Sequence, residues 1–359
     1  MFKFDTVDQF NAFRVQNPTQ GGTFSSSFIM IGTAFKKDIV TNSANESPTF
    51  KQFENNRYTI AQRLQSAEGR VTGVDTITNY PRGYSKQSQD VVMLAFLSAY
   101  TGKNANSFSL NRFPTLPLPN WRINYNGLTK LKEVQKYFSG ITLSHSYSCT
   151  YNTQFSSSVV HGIDSAHDFM PDVIIRSISL IERFSPLAGI DITMKNSMTI
   201  GLRYNQDRTL AMQIAGKSLS ENKNRDFTFS FGYRTSQVYL PFRVKGKKAY
   251  LQNDVNIKVD VSLRDNLIIV RRMDISPDQA ASGSRLIAIR PNIDYMLNDN
   301  LTMRLYFEMN LTNPHVSNQF PTTISKGGVS LRYTLDENFL KNQLPNSGGK
   351  KSKKPKQMF

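Results

Sequence analysis

The chain reads as all-β: an antiparallel sheet of the transmembrane β-barrel kind, broken by one mostly helical insertion. Three observations carry that reading. Apolar and polar residues alternate with a period of two, the period of a strand with one oily and one wet face. Many of these runs reach ten residues or more, whereas a globular strand runs about five or six and a membrane strand needs about nine to eleven. The polar positions repeatedly carry full charges: Arg203, Arg234, Lys258, Arg264, Arg290, Arg304 and Arg332. Such charges suit a wet barrel lumen. They also suit the solvated outer face of a soluble sheet.

Residues 1–20 are polar and show no clear period. Residues 21–35 read as a first barrel strand, with Phe24, Phe28 and Ile29 among serines. Residues 36–118 lose the β pattern and read as the helical insertion. Ser47-Pro48 is a helix start, an N-cap followed by proline at the first helical position. Phe50, Phe53, Arg57, Ile60, Ala61 and Leu64 then recur at helical spacing, and Gly69 suits the helix end. A second helix is expected from Ser88 to about Tyr100, with Gly102 beyond it. Its apolar run, Val91 to Tyr100, is about half the length a membrane helix needs and is apolar nearly all round, so burial is expected. It serves either as a plug or docking element or as an ordinary buried helix. Pro114, Pro117 and Pro119 make an extended linker, because proline fixes φ and lacks an amide donor.

Residues 119–335 hold about twelve further strands by their period, bringing the total to about 12–13. Ile141, Leu143, His145, Tyr147, Cys149 and Tyr151 share one face, and so do Met198, Ile200, Leu202 and Tyr204. Phe227, Phe229, Phe231 and Tyr233 form another such set. Val255, Ile257, Val259, Val261 and Leu263 alternate with Lys258, Asp260 and Arg264. Leu301, Met303, Leu305 and Phe307 alternate with Arg304 and Glu308. Those two apolar sets are the candidate lipid-facing residues. The seven cations above, with Asp260 and Glu308, are the candidate lumen-lining residues. Asp265-Asn266 has turn chemistry and is expected to fold 254–272 into a hairpin. Connections near the end then alternate tight and long, as in outer-membrane barrels. Residues 336–359 form a Lys-rich tail, read as a solvated terminus.

The net charge of +17 bears on partners and solubility, not on fold. Cys149 is the only cysteine, which excludes an internal disulfide and a CxxC site. His161, Asp164, His167 and Asp168 lie close together but match no metal-ligand spacing. No placed nucleophile, acid–base pair or phosphate-cradling glycine loop stands out, so no catalysis, cofactor or metal is expected. Met1-Phe-Lys-Phe-Asp lacks the basic and apolar regions of a signal peptide. That fits a cytoplasmic protein, and equally a piece of a longer exported chain.

Several segments, in one order, resemble the SprA/Sov family, the giant outer-membrane translocon of the type 9 secretion system, also tied to gliding motility. They are Phe50-Lys-Gln-Phe-Glu-Asn-Asn-Arg57, Gln89-Asp-Val-Val-Met-Leu-Ala-Phe-Leu-Ser-Ala-Tyr-Thr-Gly102 and Pro119-Asn-Trp-Arg-Ile-Asn-Tyr-Asn-Gly-Leu128. Ile141-Thr-Leu-Ser-His-Ser-Tyr147, Glu182-Arg-Phe-Ser-Pro-Leu-Ala-Gly-Ile-Asp191 and Val316-Ser-Asn-Gln-Phe-Pro321 continue the series. The resemblance covers most of residues 20–335 and falls on the C-terminal part of much longer family members. It implies a segment of a larger barrel that translocates folded cargo proteins across the bacterial outer membrane. It also implies partners: outer-membrane lipid, secreted cargo, a cargo-shuttling barrel, a plug protein and the remaining strands of the full-length barrel. No nucleic-acid partner follows from it. Two other readings stand beside it: an autonomous smaller outer-membrane pore or transporter, and a soluble basic β-sandwich that binds nucleic acid.

Overall fold

In a computed structural model, the protein is mostly antiparallel β-sheet. The structure describes residues 2–7, 10–11, 14–15, 19–41, 44–158, 162–164, 167–236, 238–244, 247–251, 253–273, 278–298, 300–316 and 319–334. The Lys-rich tail lies outside them, as do His161 and Asp299. Among the described residues no helix is long and apolar enough to cross a membrane.

The strands that build the main sheet are β1 (Phe2–Val7), β2 (Thr19–Ser27), β3 (Trp121–Tyr125), β4 (Phe138–Ser157), β5 (Val173–Met194), β6 (Met198–Gln213), β7 (Ser218–Thr235), β8 (Val255–Arg272), β9 (Gln279–Asn298), β10 (Leu301–Pro314) and β11 (Thr322–Tyr333). From β4 onward each pairs with the next along the chain, so the sheet is a meander ordered β1-β2-β4-β5-β6-β7-β8-β9-β10-β11, with β3 beside β4. No pairing joins β1 to β11 among the described residues, and the sheet is open there. Connections 195–197 and 299–300 mark one end, termed the turn end. Connections 158–172, 214–217, 273–278 and 315–321 mark the other, the insertion end.

The expected hairpin at Asp265-Asn266 is not formed. β8 runs unbroken through it, because long strands flank it on both sides. Asp265 pairs with Arg225 of β7 and with Arg285 of β9. Asp and Asn tolerate turn conformations but do not require them, and two full ladders outweigh a local preference. Two expected runs merge into one, but Ile39–Thr41 and Ala44–Glu46 pair with each other and join β9 at Gln279, so the sheet has 13 strands among the described residues. The strict alternation of tight and long connections is lost. Connection 236–254, at the turn end, is long and carries a hairpin of its own, Val238–Val244 with Lys247–Leu251.

The N-terminal boundaries also shift. Residues 1–20 contain β1, which pairs with β2 from Phe2↔Phe24 to Val7↔Thr19. The first expected strand, 21–35, is β2 and ends at Ser27. Beyond it the chain departs, and a short helix, Ile31–Ala34, follows. The insertion therefore spans 28–120 rather than 36–118.

The place where it departs is informative. β2 pairs with β4 from Gly21↔Ser156 to Ser27↔Thr150, and β3 pairs with β4 from Trp121↔Tyr147 to Tyr125↔Leu143. The two short strands lie end to end along one neighbour, as a single strand interrupted by residues 28–120. Its two cut ends are stitched together: Leu118 N donates to Ser27 O at 3.1 Å and Phe28 N to Cys149 O at 2.9 Å. Asn120 Oδ1 accepts from Cys149 N at 3.0 Å.

Within the insertion, α1 (Pro48–Glu68) begins where Ser47 Oγ accepts from Phe50 N and ends at Gly69, whose φ of 64° only glycine adopts freely. α2 (Gln89–Tyr100) is buried at every position from Asp90 to Tyr100. Phe53, Ile60, Ala61 and Leu64 of α1 join α2 in one core, and Tyr147, Tyr151, Ile178, Leu180, Leu210 and Met212 of the sheet complete it. Gln89 fixes the helix to β5: its Oε1 accepts from Ile175 N at 2.7 Å and its Nε2 donates to Val173 O at 2.8 Å. Of the two roles expected for this helix, the structure gives it that of a buried helix holding the insertion to the sheet.

Candidate functional site

The register sorts the sheet's side chains onto two faces. On the first, Ile200, Phe231, Val259 and Pro291 stand in one row, and Leu202, Phe229, Val261, Ile289 and Met309 in the next. Tyr204, Phe227, Leu263, Ile287 and Leu311 form a third row. Strands alternate faces, so Val255, Ile257, Val259, Val261, Leu263, Leu301, Met303, Leu305 and Phe307 all lie on this apolar face. Val255 to Leu263 spans nine residues, within the roughly nine to eleven of a membrane strand. Many of these side chains lie open to the surroundings, among them Phe227, Leu263, Ile289, Ile293, Leu305 and Phe307. Soluble monomers rarely expose an apolar patch of such extent. Tyr233, Tyr295 and Tyr333 stand on the same face near the turn end, where an aromatic girdle would stand.

The opposite face is mostly polar, with Ile268, Val270, Leu286, Met296 and Ile324 interspersed. It holds Arg203, Arg234, Lys258, Asp260, Arg264, Arg290, Arg304, Glu308 and Arg332, all nine of the residues read from sequence as one wet set. Neighbouring strands supply counter-charges. Arg203 pairs with Asp191 at 3.1 Å, Arg264 with Asp226 at 3.5 Å and Arg304 with Asp294 at 2.5 Å. Glu308 receives both Arg290 and Lys326 at 2.9 Å. Arg234 pairs with Asp254. Lys258 and Asp260 line an open trough with Arg203, Thr228, Ser230 and Arg234, and Arg332 lines its neighbour with Asp294 and Arg304. Exposed pairs like these contribute little stability, so their weight is in the electrostatics of the surface they line.

The apolar face changes character half-way along. A polar row, Gln206, Arg225, Asp265, Arg285 and Asn313, closes the belt. His315 reaches Asp265 there at 2.6 Å. Beyond that row, positions of apolar parity carry charges that sequence reasoning passed over. Arg208 Nη2 lies 2.8 Å from Glu182, with side chains only 6% and 1% exposed. The same guanidinium donates from Nη1 to Thr33 O at 3.0 Å and from Nη2 to Thr33 Oγ1 at 2.9 Å. Tyr147 OH donates to Glu182 and accepts from Met30 N, both at 2.9 Å. Arg271, fully buried, meets Asp38 at 2.8 Å, Glu221 at 2.9 Å and Asp278 at 2.7 Å, and donates to Asn45 O at 2.6 Å. Lys223 joins Asp38 at 2.7 Å. Burial holds the Asp278 carboxyl above its ordinary range despite the guanidinium beside it. Burial likewise pushes the Tyr100 hydroxyl well above that of a free phenol.

These contacts fasten the 28–47 segment to β5, β6, β7 and β8. A usable signal was present in the sequence. Arg208, Glu221 and Arg271 fall on the same parity as the oily residues of their own strands, and charge at such a position marks where protein replaces lipid or a second sheet. Of the cluster His161, Asp164, His167 and Asp168, Asp168 accepts from Ser85, at 2.5 Å from its amide and 2.6 Å from its hydroxyl. Among the described residues no group of three or more His, Cys, Asp or Glu is placed to hold a metal.

A scan against protein-family models and a search of curated proteins return no match to this chain.

Proposed function

We propose that this chain is the C-terminal segment of a large outer-membrane β-barrel that translocates folded cargo proteins in type 9 secretion and supports gliding motility. The observation that carries the membrane part is the two-faced sheet: an open apolar belt of membrane height on one side, a mostly polar, ion-paired surface on the other. Lipid takes the first face and a water-filled lumen the second. The resemblance to the SprA/Sov family supports the secretory part, with cargo, a cargo-shuttling barrel and a plug as partners. The role is conductive and not catalytic, and needs no cofactor or nucleic acid. Open edges at β3 and β11 support a segment of a larger barrel. Each unpaired backbone group left in lipid costs several kcal/mol, so these edges need further strands.

Disrupting the gene in the native host tests the reading. Secreted proteins should accumulate in the periplasm, colony spreading should stop, and the tagged chain should fractionate with the outer membrane. Normal secretion, or recovery of the chain in the soluble fraction, would sink it. The smaller autonomous pore rests on the same two-faced sheet. A heat-modifiable monomeric barrel of reproducible conductance, formed by this chain alone, would favour that alternative.

A further inference from the structure

We infer that residues 34–40 form a lipid-binding strap, seated at the headgroup level of the membrane and recognising the phosphate of a lipid headgroup. The inference rests on the membrane reading of the apolar belt and adds to it a specific contact. Residues 28–38 cross the apolar face along the polar row that closes the belt. Gln206 Nε2 donates to Ala34 O at 2.9 Å, and Gln206 stands one row beyond Tyr204 and Phe227, the last row of the belt. Four residues on, Asp38 is held by Lys223 and Arg271. The backbone is therefore held at Ala34 and Asp38, and past Asp38 by the pairing of Ile39 and Val40 with Glu46 and Asn45.

What the fixed strap presents is unusual for a segment with so many buried partners. Phe35 is 52% exposed, Ile39 57% and Val40 69%. Lys36 and Lys37 between them are exposed, and so is Arg225, which pairs with Gln206 on the same face. In water, three open apolar side chains on a rigid segment would be unfavourable. At a bilayer interface the same pattern is favourable: Phe, Ile and Val enter the acyl boundary while lysines snorkel to the phosphates. Phe35 packs on Phe184 beside the polar row, Ile39 and Val40 follow in a hairpin that joins β9 at Gln279, and the charge of Lys36 and Lys37 is complementary to phosphate. Folding fixes it in place before lipid arrives, so little ordering cost remains on binding.

The test uses the whole chain in the cells that make it, with lipids labelled by [32P]phosphate. A photo-crosslinking amino acid replaces Ile39 in one strain, Val259 of the belt in a second, and Ser262 of the polar face in a third. Positions 39 and 259 should yield adducts carrying the label, and position 262 should not. Lys36→Gln with Lys37→Gln should lower the adduct at 39 by about fivefold for each lysine, the worth of one cation near an anionic membrane surface, and leave that at 259 unchanged. Loss of label at both 39 and 259 overturns the membrane reading itself. Label at 259 with none at 39, or a protein adduct at 39, overturns the strap alone. An adduct at 39 indifferent to the lysines removes the phosphate recognition.

Discussion

The two halves of the sheet's apolar face obey the same alternation and meet different surroundings. Toward the turn end, positions such as Leu263, Ile289, Leu305 and Phe307 are apolar and exposed, with Val259 and Val261 half-buried among them. Toward the insertion end, positions of the same parity hold Arg208, Glu221, Lys223 and Arg271, paired and covered by the protein's own 28–120 segment. Period alone tells which residues share a face. It does not tell what that face touches. The side chains carry that information: a charge at apolar parity is tolerable only where a protein partner is built to receive it.

The difference can be broken most sharply at Arg271. Replacing it with leucine leaves the carboxylates of Glu221, Asp38 and Asp278 together in a site without its guanidinium, at a cost of about 3–5 kcal/mol. Hydrogen exchange of amides in 38–47 should accelerate sharply. Wild-type protection in Arg271→Leu would show that the two halves do not differ as described. A second break is Val259→Arg, which puts a cation into the open half. If lipid covers it, the loss is roughly 2–4 kcal/mol and the folded yield in membranes drops, while Lys258→Ala, one residue away on the other face, leaves the yield intact. Equal yields for the two variants would argue for water on both faces.

Smaller changes sharpen the contrast. Ser47→Ala removes the cap of α1 and should cost about 1 kcal/mol. Limited proteolysis should show faster cutting within 48–68 and no change in the meander, since the cap belongs to the covering segment alone. The smallest effect is expected at Arg304→Ala. Its pair with Asp294 is more than half exposed on the cation's side, so stability should change by less than about 1 kcal/mol. If this face lines a pore, its ion selectivity is the quantity that should respond.

The long strands were legible because the period survives for many residues, as in Met198–Tyr204 and Leu301–Leu311. The helices were legible from their ends, Ser47-Pro48 and Gly69, where the chemistry of starting and stopping is local. Asp265-Asn266 misled because a turn preference is also local, and the β7 and β9 ladders that overrule it come from distant sequence. The extent of the insertion was hidden for a related reason. Phe28 and Ile29 continue the composition of β2, but the ladder with β4 runs out there, and Met30 N turns to the hydroxyl of Tyr147, over a hundred residues away. The Arg271 and Arg208 clusters needed the two kinds of information together, parity and charge, and each alone reads as ordinary.

The splice between Ser27 and Trp121 has a consequence for how the molecule comes together. From β4 to β11 every strand pairs with its immediate successor, so that part can zip by short-range closures, which are fast. The β2–β3 edge cannot. Its two pieces meet opposite Thr150 and Tyr147 only with residues 28–120 folded between them. This topology predicts that the C-terminal meander forms first and the β2–β3 edge last. Pulse-labelled hydrogen exchange would show this as later protection of 21–27 and 121–125 than of the β6–β7 ladder.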